Sequence, residues 1–145
     1  MLLTSSTAFF LFFIALSTFP FTSKSIVQLK YPKQPVRRTE GQSLTLKCTA
    51  EYEEVPCGNI LVDWCFSVPE ECWNLIDPDR HLIQVNETKK DGGLRYRDVS
   101  ITFTQLTLRD TGLYQCKAEC QHFGASAVGH LINVTVTGQK ETDEK

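Results

Sequence analysis

The chain carries 145 residues and a formal net charge of −2, with acidic and basic side chains interspersed along its length. Its basic doublets, Arg37-Arg38 and Lys89-Lys90, form no positive stripe with interleaved aromatics, so the charge pattern leaves no footprint for a nucleic-acid partner. The six cysteines include no Cys-x-x-Cys pair, and an even number in so short a chain favours disulfides in an oxidising compartment over a zinc module.

Residues 1–25 read as a secretory signal peptide. An uncharged apolar run fills residues 9–16, and Ser23 and Ser25 place small side chains just before a cut ahead of Ile26. That run is well short of the roughly 20 residues a spanning helix needs, so no membrane span is expected. Residues 26–137 are then one domain's worth of chain, enough for a core of its own. Short alternating segments follow with no helical period between them, the pattern of an antiparallel two-sheet sandwich. Residues 26–31 predict an edge strand interrupted by Pro32 and Pro35. After a turn at Gly41, Leu44, Leu46 and Cys48 share a buried face. Ile60, Val62 and Trp64 point inward from the next strand, which sends Leu61, Asp63 and Cys65 to its outer face. Residues 71–76 predict its hairpin partner, ahead of the turn cluster Asp77-Pro78-Asp79. Residues 81–85 read as a further short strand and 89–93 as a charged, glycine-containing loop. Ile101, Phe103 and Leu106 belong to the core. Residues 112–119 and 128–136 are the last two strands, the final one with Ile132, Val134 and Val136 inward and Asn133 toward solvent.

The run Asp110-Thr111-Gly112-Leu113-Tyr114-Gln115-Cys116 is the most informative part of the chain. Asp110 and Gly112 shape the corner before a strand, and Tyr114, two residues before the cysteine, can return its hydroxyl to that corner's backbone. Cys116 needs a cysteine on the facing sheet, which Cys48 supplies, and Trp64 lies sixteen residues after Cys48, where a core tryptophan packs on that bridge. The order Cys-Trp-Cys with its tyrosine resembles the immunoglobulin-like β-sandwich, an all-β fold. The sixty-eight residues from Cys48 to Cys116 leave room for the extra strands of a variable-type domain over residues 26–137. Residues 138–145 are a polar tail, expected to be disordered, with neither a lipid-anchor signal nor a signalling segment.

Four cysteines remain. Cys65, on the outer face, and Cys72, across the turn at residues 67–70, are placed to staple a hairpin on its solvent side. Cys57 and Cys120 fall at one end of the sandwich, where a bridge would tie the two loops there together. A core cysteine, a loop cysteine, Val62-Asp63-Trp64-Cys65 and then Cys72 with a nearby Leu75 resemble the extracellular domain of the B- and T-lymphocyte attenuator, over residues 41–136. Variable domains of the polymeric immunoglobulin receptor type share the Trp-Cys staple. The attenuator joins its loop cysteine to one near its N-terminus, and here, with no cysteine before Cys48, Cys120 takes that role. The resemblance implies a fold and a class of ligand, a herpesvirus entry mediator-like member of the tumour necrosis factor receptor family. It does not extend to the attenuator's membrane span or its tyrosine-based cytoplasmic motifs.

His81, His122 and His130 have no metal-type spacing, and no nucleophile, acid–base couple or phosphate loop is recognisable, so neither an enzyme nor a cofactor is expected. What remains is binding. The outward set on the later sheet is Leu61, Asp63, Ile76, Leu113, Gln115, Lys117 and Glu119. Of these Leu61, Ile76, Leu113 and Gln115, with Phe123 at a loop tip, are the candidate partner contacts. Phe123 would otherwise serve to cover the neighbouring bridge. Asn86-Glu87-Thr88 and Asn133-Val134-Thr135 are glycosylation sequons. The expectation is a secreted immune modulator or decoy that binds a cell-surface receptor or ligand. The alternatives are the extracellular fragment of a membrane receptor, or a lipid- or glycan-binding domain on the same fold.

Overall fold

The structure is a computed structural model and describes residues 25–139. The leader over residues 1–25 and the tail over 138–145 therefore lie, apart from residues 25, 138 and 139, outside the described residues. Ten strands are described, with one short helix between the third and fourth. They are β1 (Val27–Lys30), β2 (Val36–Thr39), β3 (Leu44–Glu53), α1 (Glu54–Cys57), β4 (Ile60–Val68), β5 (Glu71–Asn74), β6 (His81–Lys89), β7 (Leu94–Phe103), β8 (Gly112–Cys120), β9 (Ser126–Val128) and β10 (Ile132–Thr137). One sheet runs β1-β3-β7-β6; the other runs β2-β10-β8-β4-β5, with β9 also paired to β8.

The core lies between them. Leu44, Leu46, Cys48, Ala50 and Tyr52 alternate inward from β3 and meet Val62, Trp64, Tyr114 and Cys116 from the facing sheet. Trp64 is buried and its indole N–H donates to the Val99 carbonyl at 3.0 Å, so its one polar atom is satisfied across the sandwich. Tyr114 folds its hydroxyl onto the Asp110 carbonyl at 2.6 Å, and burial pushes that phenol's pKa up. Asp110, the one buried charged residue among the described residues, accepts two bonds from Arg80, at 2.9 and 2.7 Å, and one from the Thr107 backbone N–H. A buried carboxylate without such donors would cost several kcal/mol, so this pairing is what permits the corner.

Four strand boundaries differ from the sequence expectation, each for a local reason. The first strand splits: after Pro32 and Pro35, which cannot donate to a ladder, the chain leaves β3 and continues as β2, parallel to β10 in the opposite sheet. The strand beginning at His81 runs on to Lys89 because β7 offers a continuous partner through Arg95. β5 stops at Asn74. The Leu75 N–H still reaches the Trp64 carbonyl, but Asp77 then turns the chain by accepting the Asp79 N–H, so Ile76 lies beyond the sheet rather than on its face. The last strand is broken between β9 and β10. Val128 pairs with Lys117 and Ile132 with Tyr114, so three residues on one side oppose two on the other. That extra residue is a β-bulge, and it reverses the alternation across it.

Three disulfides close the fold: Cys48–Cys116 with Cα atoms 6.4 Å apart, Cys57–Cys120 at 4.8 Å and Cys65–Cys72 at 5.4 Å. One expectation about the third needs correction. Cys65 does occupy an outward position, between Gln115 and Asn74 in register, yet it is fully buried, so the staple is not on the solvent side there.

Candidate functional site

Pairing register turns the outer face of the β10-β8-β4-β5 sheet into a grid. Leu61 stands beside Glu119 and Ser126, and Asp63 beside Lys117 and Val128. Cys65 follows beside Gln115, and Ser67 beside Leu113 and Asn133. Leu61 and Leu113 therefore belong to opposite ends of the sheet, about 20 Å apart at the usual rise of an extended strand.

The first two rows enclose a depression of about 350 Å³ lined by Leu61, Asp63, Asn74, Lys117, Glu119, Ser126 and Val128. Leu61 is 60 % and Val128 57 % exposed, so two aliphatic side chains flank an Asp63–Lys117 cross-strand pair. Partial burial raises the Asp63 pKa, and the neighbouring Lys117 charge only partly offsets this. Val128 was not anticipated on this face: strict alternation from Ile132 sends it inward, and only the bulge turns it out. Gln115 is less available than its position suggests, because its amide donates to the Gly129 carbonyl at 2.8 Å. Ile76 is exposed but off the sheet, and Leu113, 38 % exposed, lies at the far end.

The end of the sandwich next to Leu61 is held together covalently. Besides Cys57–Cys120, the His122 N–H donates to the Cys57 carbonyl and the Gln121 N–H to the Asn59 carbonyl. Gly58 sits at φ +72°, and a Cβ there would come within 2.5 Å of the His122 ring, so only glycine allows the two loops to approach this closely. The loop so fixed presents Phe123 at 83 % exposure and φ +62°. The ring thus projects into solvent and does not cover the bridge. Trp73 is also exposed, with its indole N–H tied to the Glu71 carboxylate at 2.8 Å.

A second polar cluster, not anticipated from the sequence, lies at the same end between β6 and β3. Glu87 accepts from the Tyr52 hydroxyl and from Arg97, whose guanidinium also reaches the Ile60 carbonyl, while Arg95 pairs with Glu54. Burial opposes ionisation of Glu87, but the bonds from Tyr52 and Arg97 prevail and hold its carboxyl below the ordinary range. Alternation along β6 could have placed Glu87 on the inner side of the sheet, but nothing in the sequence pairs it with Tyr52. Asn86 and Asn133 both point to solvent, on the outer faces of opposite sheets. Among the described residues no group of His, Cys, Asp and Glu is arranged to hold a metal, and no helix is long and apolar enough to cross a membrane.

Residues 31–137 match the immunoglobulin V-set domain, and the chain belongs to that family. It is also 29% identical over 103 residues to the CD160 antigen of Mus musculus, which covers 68% of this chain and 54% of the mouse protein. The chain thus spans about half the length of the curated relative it matches. The relationship found is to CD160 antigen and not specifically to the attenuator, so the more particular resemblance reduces to shared V-set membership with a distant CD160 relative.

Proposed function

We propose that this V-set domain is an exported, non-enzymatic binding module that docks a protein, a cell-surface receptor or ligand of the immune system, and acts by occupying it. The observation that carries the reading is the exposed pair Leu61 and Val128 around Asp63 and Lys117, on a rigid sheet beside a loop tip bearing Phe123. Apolar anchors next to charges that fix orientation are what a protein interface uses. Disulfide bracing of both loops spares ordering entropy on association. Relationship to a protein named as an antigen, CD160, supports an immune setting. The attenuator-type ligand, a tumour necrosis factor receptor family member, is one candidate to include. A second reading, the extracellular part of a longer receptor, is favoured by the match to only 54% of the mouse relative.

The test is capture of cell-surface proteins by the folded chain, followed by titration of the captured partner against variants. Leu61→Ala and Phe123→Ala should each weaken binding by about 2 kcal/mol, the usual threshold for an interface anchor. If both variants bind as tightly as the parent, the face is wrongly assigned.

A further inference from the structure

The register that separates Leu61 from Leu113 also sets Leu113 directly opposite Asn133, on adjacent antiparallel strands. Directly opposed residues of such a pair hold their Cβ atoms about 5 Å apart on the same face. Asn133 is exposed there and begins the sequon Asn133-Val134-Thr135. We propose that Asn133 carries an N-linked glycan whose inner sugars lie over Leu113 and close that end of the sheet to protein partners. The face is thereby divided. The Leu113 row is covered by carbohydrate, and the Asp63 and Leu61 rows, about 13 and about 20 Å away, remain open. Leu113, an apolar candidate contact when the sequence is read alone, is on this account a glycan-shielded residue.

The geometry gives a reason for the arrangement. An exposed leucine on an open sheet face is an association liability, and a hydrated sugar at the neighbouring position removes it without burying anything polar. The inference takes its meaning from the proposed docking face but is measured without any partner, so the two can fail separately.

The full chain is expressed through the secretory pathway of animal cells, and occupancy at Asn133 is read by peptide mass spectrometry. Hydroxyl-radical labelling of side chains is then compared before and after enzymatic removal of N-glycans from the folded protein, and in Asn133→Gln and Thr135→Ala variants. Leu113 labelling should rise at least threefold on glycan removal, and equally in both variants, while Leu61 and Val128 stay unchanged. The enzymatic arm keeps the test valid if a variant fails to fold. An unoccupied Asn133, unchanged labelling of Leu113, or an equal rise at Leu61 would overturn the proposal. Loss of the docking proposal itself would show instead as parent-like partner binding by both Leu61→Ala and Phe123→Ala.

Discussion

Asp63 is a residue held against its own preference. Burial raises its pKa above the free value, so at neutral pH its ionised form costs the fold some stability. Asp63→Asn should therefore raise the unfolding midpoint slightly at pH 7. Because the folded pKa is the higher one, the gain should shrink as pH falls through it and the parent carboxyl takes up its proton. The same variant should weaken docking, a trade expected of a group kept for binding. A destabilised Asp63→Asn protein would remove Asp63 from the docking argument. Glu87 has the opposite sign. Its folded pKa is depressed, so its contribution is present above the ordinary carboxylate pKa and lost as pH falls through the folded value. Glu87→Gln should cost about 1 kcal/mol at pH 7, at the low end for charged hydrogen bonds because solvent reaches the group, and nothing at pH 2. Denaturant titrations at the two pH values check both predictions. Phe123, in the left-handed region at the loop tip, is like Asp63 held against its preference: Phe123→Gly should relieve backbone strain of about 1 kcal/mol while binding is lost.

At the scale of elements, the staple between β4 and β5 changes meaning once Cys65 is seen to be buried. Closing so short a loop stabilises by ~2 kcal/mol in the chain-entropy model, and a serine hydroxyl enclosed at position 65 would add a penalty of ~1 kcal/mol or more. Replacing Cys65 and Cys72 together by serine should accordingly lose about 3 kcal/mol by chemical denaturation; a loss below 1 kcal/mol would mean the hairpin holds without its bridge. Removing Cys48–Cys116, which crosses the core, should cost about 2–5 kcal/mol. The core frame was legible in the sequence because Trp64, Tyr114, Cys48 and Cys116 obey one rule each, and their alternation places neighbours automatically. The rows proposed for docking were only half legible. Leu61 and Asp63 follow from the period of two, but Val128 depends on one extra residue in a ladder, and a bulge leaves no mark in a hydrophobic pattern. Ile76 was misplaced for the related reason that a strand's end is set by where hydrogen bonds stop. The Arg80–Asp110 and Tyr52–Glu87 contacts join residues far apart in the chain, beyond the reach of local spacing.

For the molecule as a whole, the first strand's division between two sheets governs how the domain would bear a load. β2 and β10 run parallel as neighbours, so tension applied to the two ends of the chain pulls them past each other along their length. Their hydrogen bonds are then strained in shear and must give way together rather than one after another. Once they have parted, Cys48–Cys116 and Cys57–Cys120 stop the tear, since only the segments before Cys48 and after Cys120 can be paid out while those bridges hold. Of the residues in these sheet rows, Leu61 and Asp63 lie inside the locked portion, Lys117 lies on the short stretch between Cys116 and Cys120 that joins the two bridges, and Val128, beyond Cys120, belongs to the segment paid out. A partner gripping this face would lose its Val128 contact as the segment after Cys120 is drawn out, so tension would loosen one side of the proposed face while the Leu61 side stayed in place.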